Sequence, residues 1–203
     1  MNSKKLLILD LDGVLINSKP NMKKSLAQTS KKLNIKLSFK TYENYLGLPF
    51  EKIINKMKIK TNVLEIKKNY EFFSLKSLNN IKIDKKKIND LKKLKNFFFI
   101  SVFTSKSKKR TSKILKKYKF FDYCISSDDV KKGKPDPEGL LKILNKFRLN
   151  NKDAIFVGDS IYDYKASKAA KIKYLHAKWG YQKNNFSKKI NIINRLLDIK
   201  KFL

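Results

Sequence analysis

The chain has 203 residues, enough for one well-packed core with a small additional unit, and sets 49 Lys+Arg against 17 Asp+Glu for a formal charge of +32. Only Arg110, Arg148 and Arg195 are arginines, leaving 49 − 3 = 46 lysines along nearly the whole length; forked phosphate and guanine contacts favour Arg, so lysine-rich composition accounts for the charge ahead of a dedicated polyanion surface. A lone Cys124 excludes an internal disulfide, a lone His176 excludes a His–His metal site, and no apolar run approaches the ~18 residues that would span a membrane.

Leu6-Leu7-Ile8-Leu9 has no polar alternation and predicts a strand buried on both faces, as in a parallel sheet. It stops at Asp10, where open α/β sheets place their ligand crevice. Asp12 follows two positions on, and two carboxylates at that spacing on extended chain repel unless a cation or a shared proton holds them. Gly13 lets the backbone turn sharply and brings main-chain N–H groups close to whatever lies there. A strand end followed by an Asx-type turn would use the same residues, and this window alone leaves both readings open. The few apolar residues before Asp10 are too short for a signal peptide, so the cytoplasm is the expected location.

Residues 20–80 contain no buried-strand run. Helices are predicted from Pro20 to about Leu33, over Phe39–Leu46 with a stop at Gly47, from Pro49 through Met57, and over Val63–Leu78. That is far more helix than a strand crossover needs, and it reads as an inserted all-helical unit.

The βα alternation resumes at Asp84, a plausible N-cap for a helix to Lys95. A strand follows over Phe97–Phe103 and stops at Thr104-Ser105-Lys106. A helix is expected over Lys108–Lys119, a short strand over Tyr123–Ser126, and a helix opening at Pro137 after a loop that contains Gly133-Lys134-Pro135-Asp136. Ala154-Ile155-Phe156-Val157 is a further strand, stopping at Gly158-Asp159. Then come a helix over Ile161–Ala170, a short strand over Ile172–Leu175, and a terminal helix from Ser187 onward. Strands alternating with helices argue for a parallel sheet with helices on both faces.

Three apolar strands thus end at Asp10/Asp12, Thr104/Ser105 and Asp159, and in a parallel sheet those ends share one edge. Asp163 stands one helical turn beyond Asp159. His176 lies in an apolar run, Tyr174-Leu175-His176-Ala177, and is expected to be structural. Asp128, Asp129 and Asp136 read as loop and cap residues. Gly133-Lys134 is not a nucleotide-binding P-loop, because Asp128 takes the first-glycine position and Pro135 the Ser/Thr position. Asn185-Phe186-Ser187 matches a glycosylation sequon that, without a secretion signal, carries no meaning.

Taken together, Asp10-Leu11-Asp12-Gly13-Val14-Leu15, the strand ending in Thr104, Lys134 in Gly-Lys-Pro-Asp-Pro, and Gly158-Asp159-Ser160-Ile161-Tyr162-Asp163 resemble, in type, order and spacing, the four motifs of the haloacid-dehalogenase-like (HAD) phosphohydrolases, in the branch of phosphoglycolate phosphatase and β-phosphoglucomutase. The resemblance covers residues 5–180. It implies a Rossmann-like α/β core over residues 1–16 and 82–203 and a helical cap domain over residues 17–81. It also implies that Asp10 attacks phosphorus to form an aspartyl-phosphate, and that Asp12 protonates the leaving oxygen and then deprotonates water. That second role needs a raised pKa, which crowding by Asp10 and Asp159 would supply.

The implied cofactor is Mg²⁺, held by Asp10, the main-chain carbonyl of Asp12, Asp159 and Asp163; a hard cation suits carboxylates and a phosphate oxygen. Thr104 and the Ser105 N–H would bind phosphoryl oxygens beside Gly13, and Lys134 would offset charge developing at phosphorus. Asp12 favours phosphate-ester chemistry, since dehalogenase members lack a carboxylate there and phosphonatase members carry Ala. Two departures stand out: Asn17-Ser18 where Asp-Ser is common, and Ala170-Lys171 where Ala-Gly is usual. The first bears on the hinge or on the substrate-facing side of the cap.

The expected function is that of a phosphatase acting on a small phosphorylated metabolite such as phosphoglycolate, a sugar phosphate or a nucleotide, as monomer or dimer, with a cap closing over the crevice. Candidate cap contacts lie around Tyr45–Pro49 and Lys52. A phosphosugar mutase would use the same residues. A basic nucleic-acid-binding protein with a vestigial site is the alternative of another class. Against it, the aromatics gather in core-like runs such as Phe97–Phe99 rather than alternating with lysines, so no specific nucleic-acid partner and no membrane partner is expected.

Overall fold

A computed structural model describes residues 4–78, 81–183 and 190–203. Its centre is a sheet of six parallel strands: β1 (Lys5–Leu9), β2 (Phe98–Phe103), β3 (Tyr123–Ile125), β4 (Ala154–Gly158), β5 (Lys173–Ala177) and β6 (Asn191–Ile193). They lie side by side in the order β3-β2-β1-β4-β5-β6. The chain therefore winds outward from β1 in both directions, and the crevice beyond the strand ends opens beside it. Register does the rest. Leu9 stands opposite Val102 on one side and Val157 on the other, so the residues following all three strands emerge together.

The unbroken apolar character of β1 is explained by its two buried faces. Leu7 and Leu9 pack with Leu91 and Leu94 of α5 (Lys85–Leu94), Ile114 of α6 (Lys108–Leu115) and Leu196 and Ile199 near the C-terminus. Leu6 and Ile8 point the other way, against Leu140, Ile143 and Leu144 of α7 (Glu138–Phe147) and Ala166 of α8 (Ile161–Ala169). Each fully buried aliphatic side chain contributes about 1.5–3 kcal/mol.

Between β1 and β2, ahead of α5, stand α1 (Lys19–Leu33), α2 (Phe39–Glu43), α3 (Phe50–Lys56) and α4 (Val63–Lys76). Pro20 sits in the first turn of α1, where its missing N–H costs nothing, and Asn62 caps α4 by accepting from the N–H groups of Leu64 and Glu65. These helices have an apolar cluster of their own, including Met22, Leu26, Tyr42, Ile53, Ile66, and the rings of Phe50 and Tyr70 stacked at 4.5 Å. Leu78 and Ile81, by contrast, join the cluster under the sheet.

Several expected boundaries move. The helix from Phe39 ends at Glu43, because Gly47, at φ +104°, turns the chain through a Leu46–Leu48 bridge. The helix from Lys108 ends at Leu115; the Tyr118 hydroxyl is pinned as acceptor to the Ile83 N–H at 2.9 Å, which draws the chain out of helical path. The expected terminal helix is corrected. Residues 187–189, where it was to begin, and the sequon Asn185-Phe186-Ser187 lie outside the described residues. Beyond them the chain forms edge strand β6 and a 3-10 segment, Leu196–Phe202. Pairing with β5 and burial of Ile193 override the helical pattern.

Candidate active site

Three carboxylates meet where β1 and β4 end. Asp10 follows β1, Asp159 follows β4, and Asp163 lies in the first turn of α8. All are buried, and one oxygen from each lies within 4.8 Å of the other two. Among the described residues, the one cation paired with them is Lys134, whose side chain is 0% exposed and reaches 2.6 Å from Asp10 Oδ1 and 2.7 Å from Asp163 Oδ1. Phe103 and Phe156 wall its stem, with the ammonium 4.8 and 5.3 Å from the ring centres.

Asp163 divides its two oxygens. Oδ2 accepts from the Ser160 N–H (3.1 Å) and Ser160 Oγ (2.6 Å), and the Ser160 hydroxyl in turn caps the Asp163 N–H, completing a capping box at the start of α8. Among the described residues, Oδ1 has no partner besides the Lys134 ammonium. The helix-cap and site readings of this residue are therefore both correct, one per oxygen.

The electrostatics follow from this crowding. Burial, reinforced by the charges of Asp163 and Asp12, pushes the Asp10 carboxyl up to about 7 against the pull of Lys134. Burial with Asp10 and Asp163 nearby also raises Asp159 well above the ordinary carboxylate range. Burial opposes the Lys134 charge, but Asp10 and Asp163 outweigh it and hold the ammonium above its usual range. Three carboxylates against one ammonium leave a buried negative excess, and the donors are all oxygen. That set fits a hard divalent cation.

Glycines make the room. Gly13 adopts φ +89°, and a Cβ there would collide with Asp159 Oδ2. Its own N–H donates to the Ile16 carbonyl at 2.9 Å. The Tyr181 N–H donates to Asp159 Oδ2.

Asp12 stands apart from the three-carboxylate cluster. Lys106 Nζ lies 3.1 Å from its Oδ1, and Ser18 Oγ donates to the same oxygen. A cation thus pairs with Asp12, alongside the charge of Asp10 that was expected to crowd it. Burial and the adjacent Arg110 push the Lys106 ammonium down to about 8, against Asp12. Thr104 is buried at the end of β2, its hydroxyl accepting the Lys106 N–H at 3.2 Å. Ser105 Oγ donates to the Gly47 carbonyl at 2.7 Å.

A narrow pocket of about 40 Å³ lies over these groups. Asp10, Asp12, Asp159, Thr104, Ser105, Lys106 and Arg110 form its floor, and Tyr42, Gly47, Phe50 and Tyr70 from the helical segment form its roof. Gln182 fastens the two: its Nε2 donates to the Leu46 carbonyl (3.0 Å) and its Oε1 accepts from the Ile161 N–H (3.2 Å). The Tyr181 hydroxyl accepts the Ser18 N–H at 2.7 Å, where α1 begins. Of the expected roof positions, Leu46, Gly47 and Leu48 line the pocket, whereas Tyr45, Pro49 and Lys52 do not.

Lys106, Arg110, Ser18, Tyr181 and Gln182 were not singled out as site residues from sequence. A signal existed for Arg110, one of three arginines, but Lys106 is hidden among 46 lysines. The cap and loop readings hold: Asp128 accepts the Lys108 N–H, Asp129 the Ser126 N–H, and Asp136 the Glu138 N–H. His176 is buried, its Nε2 3.0 Å from the Gln182 carbonyl oxygen and its Nδ1 3.2 Å from the Tyr174 hydroxyl; burial lowers its pKa, as suits a structural imidazole.

Residues 7–177 match the family profile described as haloacid dehalogenase-like hydrolase. A Clostridium perfringens protein named as a candidate pyrophosphatase, PpaX, is 31% identical over 184 residues, covering 86% of this chain and 84% of its own. A phosphoglycolate phosphatase from Nitrosospira multiformis is 24% identical over 193 residues, covering 87% and 84%. Among solved structures, a candidate phosphoglycolate phosphatase from Lactobacillus plantarum superimposes with a TM-score of 0.89 at 23% identity, covering 99% of this chain and all of that one. A haloacid dehalogenase-like hydrolase from Streptococcus pneumoniae gives 0.84 at 21% identity, covering 100% and 99%.

Proposed function

Because the chain belongs to the haloacid dehalogenase-like hydrolase family, we propose that it is a Mg²⁺-dependent phosphatase that hydrolyses a small phosphate ester through an aspartyl-phosphate on Asp10. The observation that carries the reading is the meeting of Asp10, Asp159 and Asp163 around the single ammonium of Lys134. Asp10, Asp159 and Asp163, with the main-chain carbonyl of Asp12, would hold the metal, which when bound cancels the repulsion between an anionic nucleophile and an anionic substrate. Asp10 Oδ1, oriented by Lys134, attacks phosphorus. Asp12, held at the pocket floor by Ser18 and Lys106, delivers a proton to the departing oxygen and takes one from the incoming water. Thr104 and the Ser105 N–H bind phosphoryl oxygens, and Lys134 balances the charge that builds on them.

Residues 17–81 act in this reading as a cap over a core of residues 1–16 and 82–203. The separate apolar cluster of the helices supports it, as do the hydrogen bonds from Ser105 and Gln182 to the Gly47 and Leu46 carbonyls. Opening and closing would admit substrate and exclude bulk water. The names of the relatives, phosphoglycolate phosphatase and pyrophosphatase, are consistent with a small phosphorylated substrate.

The test is phosphate release from p-nitrophenyl phosphate with Mg²⁺. Release that stops on chelation and in Asp10→Asn is the expected result. No release from any phosphate ester, with nucleic-acid binding that survives about 200 mM salt, overturns the reading in favour of a basic binding protein.

A further inference from the structure

The pocket is electrically lopsided. Its acidic end, around Asp10, Asp159 and Asp163, carries more carboxylates than ammonium groups. At the other end stand Lys106, in the loop after β2, and Arg110, one turn later in α6, with Asp12 the one carboxylate among the described residues in ion-pair contact with either. Arg110 is only 5% exposed, and its Nε and Nη2 have no hydrogen-bond partner among the described residues. Its guanidinium instead lies over the ring of Tyr70, 5.1 Å from the centre, in the roof of the pocket. A buried guanidinium with two idle nitrogens is costly unless something anionic completes it. Among the described residues, neither Ser107 Oγ nor Thr111 Oγ1, on the same turn, has a hydrogen-bond partner.

We propose that Arg110 is a substrate-binding residue for a second anionic group, a carboxylate or a further phosphoryl group carried on the leaving side of the phosphate ester. The inference rests on the phosphatase reading and narrows its substrate class. The transferring phosphoryl group belongs at the acidic end, beside Asp10. The leaving group then extends toward Arg110, whose planar fork matches the paired oxygens of a carboxylate or phosphoryl group. Tyr70 keeps the guanidinium flat and shields it from water. The distance a substrate can span is short, because the pocket is closed over by Tyr42, Phe50 and Gly47. A compact dianionic-ended molecule is therefore selected over a neutral sugar phosphate.

The experiment compares kcat/KM, with Mg²⁺, for 2-phosphoglycolate, pyrophosphate and the uncharged isostere 2-hydroxyethyl phosphate. Wild type is expected to favour at least one of the first two over the third by tenfold or more, and which one it favours tells carboxylate from phosphoryl. In Arg110→Gln that ratio should shrink by about 10- to 100-fold, the range for losing a charge-assisted hydrogen bond. Arg110→Lys should restore part of it. A wild-type enzyme with no such preference overturns the proposal without any variant, and so does a preference that persists in Arg110→Gln. Hydrolysis of 2-hydroxyethyl phosphate alone, or of p-nitrophenyl phosphate but none of the three, sinks this inference and leaves the phosphatase reading intact, whereas release from no phosphate ester at all sinks both.

Discussion

The ammonium of Lys134 lies 2.6 Å from Asp10 Oδ1, linking side chains 124 positions apart in a fully buried contact. The same ammonium also reaches Asp163, so one cation holds two carboxylates while a third, Asp159, stands beside them. Removing the cation strands the acids.

Lys134→Met should lower the stability of the metal-free protein by about 3–5 kcal/mol at pH 8, the usual consequence of deleting one partner of a buried pair. The loss should be smaller at pH 5, where the acids can take up protons instead. Urea unfolding at both pH values measures it, and equal losses would show that Lys134 does not neutralise the cluster. Turnover in the same variant should fall at least about 100-fold, the scale for losing one charge-stabilising donor.

Asp10 has a folded-state pKa of about 7 against an ordinary 3.8, raised by burial. Its contribution to stability is therefore full below about pH 4 and is lost as pH rises toward 7. Asp10→Asn should flatten the fall in melting temperature between those values in the absence of metal. Because metal binding needs the carboxylates deprotonated, the Mg²⁺-induced rise in melting temperature should grow from pH 5 to pH 8 in wild type. A rise that is the same at both ends contradicts this account. Phosphatase activity in Asp10→Asn should be absent throughout.

Gly13→Ala forces a side chain into positive φ and drives its Cβ into Asp159 Oδ2. A cost of about 1–3 kcal/mol is expected for the backbone alone. Displacement of Asp159 should also weaken Mg²⁺ binding, read by isothermal titration. Metal affinity that is unchanged would mean that Asp159 is not a ligand.

Gln182→Ala removes the link between the Leu46 carbonyl and the Ile161 N–H. Two hydrogen bonds at about 0.5–1.5 kcal/mol each should weaken closure, raising KM several-fold. Faster limited proteolysis in α1 to α4 should accompany it. A drop in kcat at unchanged KM would assign Gln182 to the chemistry instead.

Much of this was legible in the residues. Leu6–Leu9, Phe97–Phe103 and Ala154–Val157 read as buried strands, since apolar runs without alternation have few other uses, and their endings nominate Asp10, Thr104 and Asp159; only Phe97 proves to lie outside its strand, exposed. Asp84 marks a helix start by local hydrogen bonding that any short window contains. Windows where distant pairing competes with local preference read less well, as at Asn191–Ile193, which an adjacent strand edge captures.

By itself the sequence determined the class of fold, the strand ends that meet, and the oxygen-rich chemistry of the meeting point, because all of these follow from short-range periodicity and from residue type. Only the tertiary structure decided how each side chain is used. It gave one Asp163 oxygen to a helix cap and the other to Lys134, turned Asp12 toward Lys106, spent the Gly13 N–H on Ile16, and left Arg110 buried with idle nitrogens. Those outcomes depend on which groups lie within about 3 Å across the rim of the sheet, a distance set by packing between segments far apart in the chain.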